Sequence, residues 1–182
     1  MIPKGKRKEC KFEVFHHALK MRKGIMELVI RNFGLKRKPK EDLLDFDKMV
    51  QDNFFEFVER ERFYITDILR NIASCITRAN KLFPTTLEEF SERRLLQDKA
   101  ITYCFDLVTE LQFCMETLPN IDINGFLRYA EVIQKQILLL KGWRKSDNRL
   151  KAGIESNLAK KVKSVKINNG NIKLVLKRKI KG

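Results

Sequence analysis

The sequence lacks most of the features by which enzymes and membrane proteins are recognised. It has only two histidines in 182 residues, and no apolar run approaches the roughly 18–20 residues that a bilayer crossing requires. No GxxxxGK or GxGxxG loop is present, so nucleotide binding has no recognisable motif. The N-terminus is basic and lacks the apolar core of a secretory signal. These absences predict a cytoplasmic protein with no membrane partner.

Neither the cysteines nor the histidines form a recognisable catalytic or metal-binding pattern. The four cysteines show no CxxC spacing, and three of them fall among apolar residues of predicted helices, so we expect reduced, buried thiols rather than a zinc site. They are Cys10, Cys75, Cys104 and Cys114. His16 and His17 are adjacent, so they point to different sides of a helix and cannot easily share one metal. We therefore predict no catalytic residue, no metal and no cofactor.

Positive charge is what the sequence does contain, and it is unevenly placed. The formal net charge is +15. Residues 1–11 carry five basic residues against one acidic residue, and residues 36–40 carry four basic residues and none that is acidic. From Arg144 to the end, thirteen basic residues accompany two acidic ones. This distribution is expected for a protein that binds a polyanion, most plausibly nucleic acid. The alternative is that the basic tails serve only solubility.

Apolar spacing predicts four helical segments, and the first two precede Pro84. The first segment has an apolar stripe that Arg22 interrupts. That stripe comprises Phe12, Phe15, Leu19, Met26, Val29 and Phe33. The second segment runs from about Glu41 to Leu82, and residues 42–57 form either a separate helix or a bend. Its predicted inner face comprises Val58, Ile65, Ile68, Leu69, Ile72, Cys75, Ile76 and Ala79.

The third and fourth segments lie between Thr86 and Trp143. Thr86 and Glu89 have the spacing of a capping box at the start of the third helix, and Pro119 stops it. Its predicted core side comprises Leu95, Ile101, Phe105, Val108, Leu111 and Met115. The fourth helix begins near Asp122, and its predicted core side comprises Phe126, Tyr129, Ile133, Ile137 and Leu140. Because the loops are short, we predict an all-α, antiparallel four-helix bundle over residues 12–147.

The two ends of the chain differ from this bundle. Residues 1–11 form a basic N-terminal arm and residues 148–182 a basic C-terminal tail. Within the tail, residues 153–165 could add a short helix. Asn169 and Gly170 are the dipeptide typical of a tight hairpin turn, and they are flanked by alternating apolar and polar residues. A short β-hairpin is therefore a second element expected of the tail.

Residues 120–131 partly match a calcium-binding EF-hand loop. Asp122, Asn124, Gly125 and Glu131 fit positions 3, 5, 6 and 12 of that loop. Asn120, however, lacks the carboxylate normally found at position 1, and no second loop of this kind is present. We favour a turn between two helices, with calcium binding as the weaker interpretation.

Three segments resemble a small bacterial family of four-helix bundles. They are ITRANKLFP at the end of the second helix, RRLLQDKAITYC early in the third, and YAEVIQKQILLLKGWRKSD along the fourth. The family includes the accessory variability determinant (Avd) of diversity-generating retroelements and the proteins encoded by intervening sequences of 23S ribosomal RNA genes. The resemblance covers roughly residues 12–147. The extra length at residues 41–57 and the basic tail after Leu150 depart from the family pattern.

The resemblance implies a non-enzymatic helper protein. Avd-like proteins form a pentameric barrel with a basic surface, and they associate with a reverse transcriptase and its template RNA to support mutagenic retrohoming. We therefore expect a homo-oligomer that binds both partners. The residues expected to contact RNA phosphates are Lys36, Arg37, Lys38, Arg144, Lys145, Arg149, Lys151, Lys160, Lys161 and Lys163. A second interpretation is a protein-interaction module of the intervening-sequence type, with an incidental basic tail.

The stretch from Leu138 to Gly153 joins the predicted bundle to this basic surface. Leu138, Leu139 and Leu140 cannot all face one core, because consecutive helical residues are about 100° apart. We expect Trp143 to be a packed anchor that closes the bundle. Gly142 is expected either to allow a close approach or to end the regular helix.

Overall fold

The computed structural model of the protein describes residues 12–30, 48–118 and 123–160, with the backbone alone for residues 48–53. The described residues form four long helices: α1 (Glu13–Ile30), α2 (Lys48–Lys81), α3 (Leu87–Thr117) and α4 (Ile123–Ser146). Residues 148–160 are also helical and are called the C-terminal segment below. No strand occurs among the described residues, and the predicted hairpin and the N-terminal arm lie outside them.

The four helices pack against one another around a single core. α1 contacts α2 and α4, and α3 contacts the same two helices. One continuous cluster of buried apolar side chains joins all four. The predicted all-helical bundle is therefore confirmed. None of the described helices has both the length and the apolar composition needed to cross a membrane.

α2 follows the sequence prediction closely. All eight residues of its predicted inner face are buried, and Ile65 and Ile76 are fully enclosed. The helix is unbroken from Lys48, so residues 48–57 belong to it rather than to a separate helix. It ends three residues before Pro84, which cannot donate the backbone hydrogen bond that a continuing helix needs.

The predicted core face of α1 is wrong by about one residue. The buried side chains are Val14, Ala18, Met21, Ile25 and Val29. Of the predicted stripe, only Val29 is fully buried, while Leu19 is 41% exposed. Phe12, Phe15 and Met26 pack on the edge of the core, and Phe33 lies outside the described residues. A one-residue offset turns a helix by about 100°, so Met21 and Ile25 face the core and the aromatic rings lie beside it.

The predicted core face of α3 needs a similar correction. Ile101 and Leu111 are buried as expected, but Leu95 and Phe105 are 54% and 48% exposed. The remaining two, Val108 and Met115, are half-buried against the core. The buried positions outside the predicted face are Phe90, Arg93, Leu96, Gln97, Ala100, Cys104, Leu107 and Cys114. Several of these are small or polar, so weighting by large apolar side chains displaced the predicted face by part of a turn.

The predicted ends of α3 are confirmed. The Thr86 hydroxyl accepts a hydrogen bond from the Glu89 backbone N–H at 3.2 Å, and Glu89 Oε2 accepts in return from the Thr86 N–H at 3.3 Å. Together these bonds satisfy two backbone donors that the first turn leaves free. At the other end the helix stops at Thr117, two residues before Pro119.

α4 buries Phe126, Ile133, Ile137 and Leu140 as predicted, and Tyr129 is half-buried at the edge of the core. Asn124 and Gly125 lie in the first turn of this helix. An EF-hand needs its fifth and sixth positions in the loop, with glycine at the sharp turn. The helical backbone therefore disagrees with the calcium interpretation, although Asn120 and Asp122 lie outside the described residues.

The expected state of the cysteines is confirmed wherever they are described. Cys75, Cys104 and Cys114 are free and buried, while Cys10 lies outside the described residues. Burial raises the pKa of the Cys104 and Cys114 thiols to about 12. These thiols are therefore protonated at neutral pH and poor nucleophiles.

Candidate nucleic-acid interface

A buried ion pair lies where α3 begins and α4 ends. Arg93 of α3 is 7% exposed and Asp147, the residue after α4, is 5% exposed. Arg93 Nε donates to Asp147 Oδ2 at 2.6 Å, and Nη2 donates to Oδ1 at 3.1 Å. Two parallel bonds between a guanidinium and a carboxylate fix both the distance and the orientation of the pair.

The other polar atoms of the pair also have partners. Arg93 Nη1 donates to the carbonyl oxygens of Ala79 and Leu82, at 3.2 and 2.6 Å. These carbonyls are at the C-terminus of α2, where the helix leaves acceptors without internal partners. Gln97, one turn after Arg93, donates from Nε2 to Asp147 Oδ2 at 2.7 Å. The pair thus connects α2, α3 and the end of α4.

Trp143 brings α1 into the same cluster. The Arg93 guanidinium lies 5.1 Å from the centre of the Trp143 ring, within the range of a cation–π contact. On its other side Trp143 meets Phe12 edge to face, with ring centres 4.8 Å apart. We call this set the Arg93 cluster: Phe12, Arg93, Gln97, Trp143 and Asp147. Trp143 is therefore the packed anchor that the sequence predicts.

Gly142 has neither of its predicted roles. A methyl group added there would meet nothing within 4 Å, so no neighbouring helix approaches closely. The helix also continues past it to Ser146. The three leucines before it do fan out as expected, because Leu138 is 60% exposed and Leu140 is fully buried.

Asp147 also begins the C-terminal segment. Its backbone N–H donates to the Trp143 carbonyl at 3.1 Å, which completes the last turn of α4. Its own carbonyl accepts from the N–H groups of Leu150 and Lys151, at 2.9 and 3.3 Å. One residue therefore anchors its side chain in the bundle and starts the next helical turn. The Arg93 cluster therefore lies at the junction between α4 and residues 148–160.

The predicted RNA-contacting residues fall into three groups. Lys145, Arg149 and Lys160 are exposed and form no ion pair among the described residues. Arg144 lies 2.8 Å from Asp98 of α3, and Lys151 lies 3.8 Å from Glu155. The remaining residues lie outside the described parts of the chain: Lys36, Arg37, Lys38, Lys161 and Lys163. Lys145 and Arg149 thus follow Trp143 closely, whereas Lys160 ends the described part of the C-terminal segment.

The sequence interpretation missed the polar side chains that position this surface. No sequence pattern assigned a role to Arg93, Gln97 or Asp147, although Arg93 and Gln97 are one turn apart among apolar neighbours. Gln136 of α4 is another buried polar residue that no sequence pattern indicated, and it is fully buried. Its Nε2 donates to the Val14 carbonyl at 3.1 Å, and its Oε1 lies 2.7 Å from His17 Nδ1. The sequence signal that could have identified these residues is a polar residue at a position within an apolar helical stripe.

A second charged cluster lies between α2 and α3. Glu61 of α2 is 7% exposed, and it interacts with Glu110 and Cys114 of α3. Partial burial raises the pKa of Glu110, and the neighbouring Glu61 carboxylate raises it further. We call this set the Glu61 cluster. In the part of the chain that is described, no three metal-ligating side chains come together here or elsewhere.

No protein-family model, curated protein or solved structure matches this chain.

Proposed function

We propose that the protein is a non-enzymatic, cytoplasmic accessory protein of a diversity-generating retroelement. In this role it binds template RNA through its basic surface and associates with the element's reverse transcriptase. The exposed cations of Lys145, Arg149 and Lys160, which follow a rigidly anchored Trp143, are the observation that carries the proposal. Contacts between such side chains and phosphates supply affinity and position with little sequence reading.

The location of the Arg93 cluster supports the family resemblance. The three segments that carry the resemblance contribute Ala79, Arg93 and Trp143, and these residues meet at one place. Such a meeting point gives the three segments a shared structural role. It also supports the antiparallel arrangement, because the C-termini of α2 and α4 lie beside the beginning of α3. A basic C-terminal extension and a homo-oligomer, pentameric by resemblance, belong to the same proposal.

Charge reversal at the three unpaired cations tests RNA binding. The variant K145E/R149E/K160E leaves the Arg144–Asp98 pair intact, so it should fold normally. A matched control is K81E/K99E/K135E, since these lysines are also exposed but lie on the helices before Trp143. We expect the slope of log K against log salt for single-stranded RNA to fall by about 2 in the first variant. Equal slopes in both variants would contradict the assignment of this surface.

A protein-interaction module is the second candidate function. Its support is the exposure of large apolar residues on α2 and just after it: Phe63 is 71% exposed and Phe83 is 82% exposed. Removing residues 152–182 distinguishes the two functions when RNA binding and partner binding are measured separately. Loss of RNA binding with partner binding retained supports the accessory role, whereas partner binding without RNA binding in either protein supports the interaction module.

A further inference from the structure

A groove between α1 and α2 contains three arginines and is not part of the surface described above. Its volume is about 320 Å³. α1 contributes Phe15, Leu19 and Arg22, and α2 contributes Arg70, Ser74 and Arg78. The groove therefore has an apolar wall on one side and guanidinium groups from both helices.

Helix geometry explains why these residues share the groove. Phe15, Leu19 and Arg22 are four and three residues apart, so they occupy one face of α1. Arg70, Ser74 and Arg78 follow at intervals of four on α2. At a rise of 1.5 Å per residue, Arg70 and Arg78 are separated by about 12 Å along the helix axis. Two of the three cations are thus at different heights along one groove.

The positive charge of the groove is poorly compensated. Arg22 and Arg78 form no ion pair with any described residue. Arg70 does pair with Asp67 at 2.7 Å, but both side chains are about 60% exposed, so solvent weakens the pair. Arg22 is half-buried at a point where the α1 stripe is otherwise apolar. An apolar residue would cover the same surface without bringing a charge to it.

The groove lies near the Arg93 cluster along both helices. Phe15 follows Phe12 by one turn, and Phe12 contacts Trp143. Arg78 directly precedes Ala79, whose carbonyl accepts a hydrogen bond from Arg93. The groove and the Arg93 cluster therefore use the same ends of α1 and α2, the start of α1 and the end of α2.

We propose that this groove binds phosphodiester groups of the same RNA, which makes it a second contact in addition to the cations that follow Trp143. The inference rests on the proposed RNA-binding function. Guanidinium groups suit this ligand because each can donate two parallel hydrogen bonds to one phosphate. The Ser74 hydroxyl adds a neutral donor on the same face of α2.

The variant R22Q/R78Q tests the groove in the full chain. Glutamine keeps much of the side-chain stem but removes the charge, and both substitutions leave the Arg70–Asp67 pair in place. For a labelled single-stranded oligoribonucleotide, we expect the slope of log K against log salt to fall by about 1.4, which corresponds to two lost phosphate contacts. The variant R22K/R78K should retain the wild-type slope, and the exposed control K99Q/K135Q should change the slope far less than R22Q/R78Q.

The outcomes separate this inference from the proposed function. Absence of RNA binding by the wild-type protein would overturn both. Wild-type binding with an unchanged slope in R22Q/R78Q would overturn the groove alone. If R22Q/R78Q melts at a lower temperature than the wild type, the single variant R78Q replaces it in the test. Arg78 is exposed, and its loss should still lower the slope by about 0.7. Competition by inorganic phosphate as effectively as by RNA would also overturn the assignment to phosphodiesters.

Discussion

The Arg93 cluster and the Glu61 cluster both bury charged side chains in one bundle, but their charges are combined differently. Arg93 faces a carboxylate of opposite charge, with two parallel hydrogen bonds and a further bond to that carboxylate from Gln97. Glu61 faces another carboxyl group, Glu110, whose pKa is raised above its ordinary value. Two groups of opposite charge hold a fixed geometry near neutral pH, whereas a carboxyl group beside another carboxylate tends to keep its proton.

This difference coincides with a difference in position. The Arg93 cluster lies where the chain leaves the bundle and the exposed basic residues begin. The Glu61 cluster lies between α2 and α3 beside the buried Cys114 thiol. At the Arg93 cluster, directional hydrogen bonds can orient the segment that follows α4, because burial of apolar area alone sets no orientation. We infer that the ion pair positions the basic segment, while the Glu61 cluster affects stability only.

Removing Asp147 should have the largest effect on this comparison. The variant D147A leaves Arg93 buried without its carboxylate, and we expect a loss of about 3–5 kcal/mol in the free energy of unfolding, measured with urea. The matched control is D67A, which breaks the exposed pair with Arg70 and should cost about 0–1 kcal/mol. A loss for D147A no larger than that of the control would show that the buried pair is not a fixed element.

The double variant R93M/D147L sharpens the same test. Replacing both partners by apolar side chains removes the unpaired charge, so most of the stability lost in D147A should return. RNA binding should nevertheless weaken if the pair orients residues 148–160. Full recovery of both properties would contradict a positioning role for the Arg93 cluster.

Trp143 should contribute less than Asp147. The variant W143L keeps an apolar side chain but removes the contacts with the Phe12 ring and the Arg93 guanidinium. We expect a loss of about 1–3 kcal/mol in the free energy of unfolding, since each of these two contacts contributes about 0.5–1.5 kcal/mol. The variant F12L removes the ring contact alone and should lose less. Equal losses in the two variants would show that the cation–π contact adds nothing.

The Glu61 cluster should give the smallest effect, and its sign depends on pH. The folded-state pKa of Glu110 is raised above the ordinary value of 4.5, so its neutral form stabilises the fold below that pH. This contribution is lost as the pH rises through the folded-state pKa. The variant E110Q cannot ionise, so it should unfold less readily than the wild type at neutral pH and should show a flatter dependence on pH.

Urea titrations between pH 4 and pH 8 measure this difference as the change in unfolding free energy with pH. The exposed residue Glu116 provides a matched control in E116Q. The interpretation of the Glu61 cluster is wrong if E110Q and E116Q have the same pH dependence.

Features that depend on neighbouring residues could be predicted from the sequence. The eight apolar positions of the α2 inner face, the Thr86–Glu89 capping box and the stop before Pro119 were all correct. Each depends on backbone geometry within one or two helical turns, so the sequence contains the whole cause. The concentration of basic residues after Trp143 is likewise a property of the chain itself.

Features that depend on packing could not be predicted in the same way. In α1, two overlapping stripes one residue apart are both partly apolar, and contact with α2 and α4 selects the one without aromatic rings. In α3, the small residues Ala100 and Cys104 face the core while Phe105 is half-exposed. Large apolar side chains gain more from burial individually, but close helix packing depends on the combined shape of both surfaces.

The sequence by itself determined a helical bundle, the ends of α3, and a basic segment that follows Trp143. Only the tertiary structure decided that Arg93 and Asp147, 54 residues apart, form one buried pair, and that Arg22 and Arg78 share a groove. The physical reason is the range of the interactions involved. Capping and helical periodicity act over a few residues, whereas an ion pair between distant residues forms only after the helices between them have packed.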